Sequence, residues 1–64
     1  MKPLRRYLKQ KRISQAAFAR RLEVSQPTIW AWLNGTKSPT VENLERIADV
    51  TGLTVDQLLG RKAV

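Results

Sequence analysis

Residues 14–35 read SQAAFARRLEVSQPTIWAWLNG, and their spacing decides the fold. Ser14 and Ser25 each stand just before an apolar-periodic run, where a hydroxyl oxygen can accept a backbone N–H that lacks an intrahelical partner. Between and beyond them, Ala16, Ala19, Leu22, Val24, Ile29, Trp32 and Leu33 fall at spacings that let two crossed helices share one buried seam. The stretch is therefore expected to form two short helices joined by a tight turn. Gln15, Gln26, Pro27, Trp30, Ala31 and Asn34 are left facing outward on that reading.

Outward from this unit, every segment keeps the helical period. A first helix is expected from about Pro3 to Lys11, because proline costs nothing in a first turn, with Leu4, Tyr7 and Leu8 on one stripe and Ile13 closing it. The second spans Gln15–Arg21, burying Ala16, Phe18 or Ala19, and Leu22. The third spans Gln26–Asn34, and Gly35 provides the left-handed conformation that ends helices cheaply. Thr40 caps a fourth from Val41 to about Val50, with Val41, Leu44, Ile47, Ala48 and Thr51 at apolar positions and Gly52 as its stop. Thr54 and Gln57 have the spacing of a capping box, opening a short fifth helix through Leu59. Nothing reads as a strand, so the expected class is all-α, a compact five-helix arrangement over residues 1–64 as one domain.

Composition excludes much. The chain has no cysteine and no histidine, so a disulfide, a thiolate metal site and the commonest general base are all missing. Its five carboxylates are scattered, and no serine or threonine has a base of the usual kind to activate it. An enzyme, a resident metal, a cofactor and a small-molecule ligand are not expected. No apolar run approaches the ~20 residues that a membrane span requires, and the basic start lacks the apolar core of a secretory signal. A cytoplasmic location is expected, without membrane association.

The net charge of +7 is unevenly placed. Residues 1–40 carry nine Lys/Arg against Glu23 alone, a net +8; residues 41–64 carry three against four acids, a net −1. A basic half suggests a face for a polyanion. The third helix has the shape such a face needs: an α-helix fits the B-DNA major groove, where each base pair shows its own pattern of donors and acceptors. Gln26, in its first turn, can bond adenine through N6 and N7 together, and the Pro27 ring and Ala31 can meet a thymine methyl. Trp30 flanks them. Because Pro27 has no N–H, the Ser25 hydroxyl must cap through Thr28, and Ser25 and Thr28 also lie where a phosphate could be held. Gln15 opens the second helix at its positive end and is assigned to a phosphate oxygen, with its amide also able to bridge to Gln26. Asn34 and Lys37 suit backbone phosphates, which hold register while base contacts supply preference. Plainer roles exist for some of these: Gln15 as a first-turn residue, Trp30 flat on the surface, Asn34 as turn chemistry before Gly35, and Arg20 and Arg21 as solvated charges.

With those residues assembled, the chain resembles the Cro/cI-type helix-turn-helix family, also called lambda-repressor-like or XRE. The resemblance rests on S14-Q15-x-x-F18-A19-x-x-L22, V24-S25-Q26-P27-T28-I29-x-x-W32-L33-N34-G35, P39-x-x-x-N43-L44-x-x-I47-A48 and L53-T54-V55-D56-Q57-L58-L59-G60. It implies a compact five-helix domain whose third helix enters the major groove of double-stranded DNA. It implies a phosphate role for Gln15, base-facing roles for Gln26, Pro27 and Ala31, and a place at the sugar-phosphate backbone for Asn34. It further implies a small Cro-like phage or bacterial repressor, associated with the nucleoid, that binds a palindromic operator as a weak homodimer. Val55, Leu58, Leu59 and Val64 are the candidate dimer surface, with Leu58 equally suited to the monomer core. Glu23 stands where many members have glycine, so either a left-handed residue at roughly 1 kcal/mol or a different turn is expected. The other readings are an antitoxin that neutralises a toxin and also binds its promoter, and a generic binder of RNA or anionic membrane.

Overall fold

A computed structural model describes residues 1–60. In chain order the helices are α1 (Lys2–Lys11), α2 (Gln15–Leu22), α3 (Gln26–Asn34), α4 (Val41–Thr51) and α5 (Val55–Leu58), and no strand occurs among the described residues. The all-α, five-helix expectation is met. The boundaries differ by a residue or so: α2 runs on to Leu22, α4 to Thr51, and α5 stops at Leu58.

Four of the helices start on hydroxyl caps. Ser14 Oγ accepts from the Ala17 N–H at 3.0 Å, Ser25 Oγ from Thr28 at 3.3 Å and Thr40 Oγ1 from Asn43 at 3.2 Å. Thr54 and Gln57 form the full capping box, each side chain accepting from the other's backbone N–H at 3.0 and 2.8 Å. Each satisfies a donor that the helix itself leaves unpaired.

The helix ends are as regular as the starts. Arg12 (φ 56°), Glu23 (φ 57°) and Gly35 (φ 76°) are left-handed. In each case the next residue's N–H reaches back into the helix: Ile13 to Leu8 O at 2.9 Å, Val24 to Ala19 O at 3.0 Å and Thr36 to Ala31 O at 3.0 Å. These are Schellman closures, which join the bond to an apolar contact. Ile13 and Val24 both pack on the core. Glu23 therefore takes the left-handed option in an otherwise ordinary turn. Arg12 takes the same left-handed conformation with no glycine or asparagine in the sequence to mark it.

The core gathers Leu4 and Leu8 from α1, Phe18, Ala19 and Leu22 from α2, Ile29, Trp32 and Leu33 from α3, Ile47 from α4 and Leu58 from α5. Phe18 and Ala19 are both buried, so the two side chains are not alternatives. α2 packs on α3, and α1 lies against both α3 and α5. Two expectations are corrected here. Leu58 is 1% exposed, held where α5 meets α1 and α4, and so belongs to the monomer core rather than to a dimer surface. Val41, placed on the apolar stripe of α4, is 71% exposed, because the first residue of a helix projects beyond the turns that face the core. Val55 is half-buried and Leu59 exposed; Val64 lies outside the described residues.

Candidate nucleic-acid interface

The N-terminal end of α3 is built by four consecutive residues, 25–28. Ser25 is extended (φ −75°, ψ 153°) and caps α3 through Thr28, as the missing N–H of Pro27 requires. The two hydroxyls also bond each other at 2.7 Å, leaving an exposed hydroxyl pair over backbone N–H groups that carry partial positive charge. Gln26 and Pro27, the first two helical residues, are exposed.

α2 brings Gln15 to the same place. Gln15, Gln26, Pro27 and Trp30 line one shallow depression of about 340 Å³. Gln15 is half-buried, as suits a first-turn residue at a helix crossing, whereas Trp30 is 51% exposed. Among the described residues no hydrogen bond joins the two glutamine amides. Four of the side chains singled out from sequence thus converge on one surface.

Ala31 does not. It is 8% exposed, against the expectation that it faces outward. The wheel of an isolated helix misplaces it because the chain reverses at Gly35 and folds back over that turn. The Thr36 and Lys37 N–H groups bond the Ala31 carbonyl at 3.0 and 3.4 Å, and the Thr36 hydroxyl reaches it at 3.4 Å.

The C-terminal end of α3 shows what sequence reading missed. Its last turn contains no basic residue, yet its carbonyls sit at the negative end of the helix dipole. α1 and the residue that precedes it supply the cations. The Met1 ammonium donates to Trp32 O and Leu33 O at 3.1 and 3.3 Å, and the Arg5 guanidinium donates to Leu33 O at 3.2 Å and to Asn34 Oδ1 at 3.1 Å. Asn34 Nδ2 in turn donates to Trp30 O at 2.8 Å. The exposed Asn34 side chain is therefore oriented from both ends. Only the lack of a local cation in α3 hinted at this; Arg5 lies 28 residues away from Leu33. Lys37 is exposed just beyond this end of α3.

Among the described residues no cluster of acidic side chains could hold a metal, and no helix is long and apolar enough to cross a membrane. A capped helix packed across the first and presenting a polar N-terminal flank defines a helix-turn-helix DNA-binding unit. The family model described as "Helix-turn-helix" matches residues 4–58, and the chain belongs to this Cro/cI-type family of DNA-binding transcription regulators. No curated protein matches, and no solved structure does.

Proposed function

We propose that residues 1–64 act as a single repressor domain that occupies a palindromic operator as a homodimer, with α3 laid in the major groove of each half-site. The observation that carries this reading is the convergence of Gln15, Gln26, Pro27 and Trp30 on one surface, in the half of the chain whose net charge is +8. On this reading Gln26, Pro27 and Trp30 face base edges. Gln15, the Ser25–Thr28 hydroxyl pair, Asn34 and Lys37 hold phosphates, which fix register. Dimerisation is assigned to the exposed Leu59 with Val55. Leu59 lines a hollow of about 400 Å³ together with Trp32, Pro39 and Leu44, so a partner side chain has somewhere to go.

Selection of bound sequences from a random duplex pool tests the proposal. The expected result is one enriched motif with two-fold symmetry and half-sites about one helical turn apart. Gln26→Ala is expected to relax preference at one base pair of each half-site, at a cost of about 1–3 kcal/mol. Enrichment of no motif, or an unchanged ratio of operator to random-duplex affinity in the Gln26 variant, overturns the assignment.

A further inference from the structure

Trp30 is the largest apolar side chain on the α3 surface, 51% exposed, and its main chain is tied to the end of the helix. Its carbonyl accepts the Asn34 side chain, and it stands four residues from Gln26 and three from Pro27, on the same flank of the helix. Trp30 and Pro27 line the same depression as the two glutamines, Gln15 and Gln26. Ala31, the other apolar candidate on this helix, is buried.

Major-groove base edges are polar with one exception, the C5 methyl of thymine. Apolar surface pressed against donors and acceptors leaves them without partners, which is costly. A depression lined by a tryptophan and a proline therefore fits a methyl group. Four helical residues rise ~6 Å, against ~3.4 Å per base pair along the duplex. That separation puts the apolar contact one or two steps from the pair met by Gln26.

Resting on the reading of α3 as the major-groove helix, we propose that Trp30 and Pro27 clamp the C5 methyl of a thymine one or two base pairs from the Gln26 contact, so that this surface selects a 5-methylpyrimidine. The specificity of the chain then has two halves of different chemistry: an amide that reads hydrogen bonds and an apolar clamp that reads a methyl.

The test uses the duplex enriched by the pool selection, with each thymine replaced singly by uracil, which deletes the methyl and keeps the pairing. Affinity is expected to fall about fourfold at one position per half-site, the change that burial of one methyl supports. That position should lie one or two steps from the pair whose identity Gln26→Ala relaxes. Trp30→Ala should weaken binding to the thymine duplex and abolish the thymine-to-uracil difference, whereas Trp30→Phe, which keeps apolar surface without an indole N–H, should retain most of it. Thermal melts that match wild type establish that both variants fold. An enriched duplex that is blind to every thymine methyl overturns this proposal alone. So does a Trp30→Ala variant that keeps the full uracil penalty, or a Trp30→Phe variant that behaves like Trp30→Ala. Enrichment of no sequence at all overturns the reading beneath it.

Discussion

Replacing Glu23 by glycine should stabilise the protein, and the turn between α2 and α3 shows by how much. Glu23 sits at φ 57°, ψ 39°, a conformation that costs an L-residue roughly 1–2 kcal/mol. Glycine removes that cost but brings a larger entropy loss on folding, about 0.5–1 kcal/mol. The substitution also deletes the Arg46–Glu23 ion pair, whose atoms are 3.8 Å apart with the Glu23 side chain 84% exposed; such a pair contributes about 0–0.5 kcal/mol. The balance favours glycine by about 0.5 kcal/mol, or roughly 2–4 °C in Tm for a domain of this size. Glu23→Val is the matched control. It loses the same ion pair, so that contribution cancels between the two variants, but it forces a β-branched side chain into the left-handed region, a strain of about 1–3 kcal/mol. Thermal unfolding followed by circular dichroism should rank glycine above wild type and valine at the bottom, with about 1 kcal/mol between the two variants once glycine's entropy cost is set against the valine strain. If valine melts with or above glycine, residue 23 is not left-handed and the assigned turn geometry is wrong.

Arg5→Met should cost about 1–2 kcal/mol in urea unfolding, since it removes two charge-assisted bonds to the end of α3 that are partly exposed. Thr54→Ala should cost about 1 kcal/mol in the same assay, because it dismantles the reciprocal cap of α5. Lys37→Met should reduce the slope of log affinity against log salt by about 1 for each copy bound, without altering which sequence is preferred. Leu59→Glu should shift sedimentation toward monomer with little change in Tm, whereas Leu58→Ala should lower stability by about 2–5 kcal/mol because its side chain is 1% exposed.

What could be read from the chain alone was whatever a few neighbouring residues decide. The Ser14, Ser25, Thr40 and Thr54 caps are of this kind, each needing only a hydroxyl and an N–H three residues on. The shift of the Ser25 cap onto Thr28 followed from Pro27 by the same local logic. The errors share the opposite character. Ala31 sits on the polar side of its own helical wheel but is covered by the reversal at Gly35, which a wheel does not contain. Leu58 is equally apolar on either assignment, and only the docking of α5 between α1 and α4 decides it. The Arg5–Asn34 bond spans 29 residues, and no periodicity within α1 points to a partner at that distance.

That non-local bond changes how the interface should be understood. α3 is fixed at its N-terminal end by Ser25 and Thr28, within its own sequence, but at its C-terminal end by Met1 and by Arg5 of α1. The hydrogen bonds run from Arg5 to Asn34 and from Asn34 to the Trp30 carbonyl, so α1 reaches the same turn of helix that presents the indole. Side chains that read DNA must be held to within a fraction of an ångström to be selective, and surface helices as short as these gain little rigidity from propensity. Fixing α3 at both ends, while Ile29, Trp32 and Leu33 bury its inner side, supplies that rigidity from tertiary structure. On the proposed reading of α3, α1 contributes to recognition by orienting that helix as well as by its charge. Loosening the Arg5 contact should degrade discrimination between sequences more than it degrades affinity for random duplex.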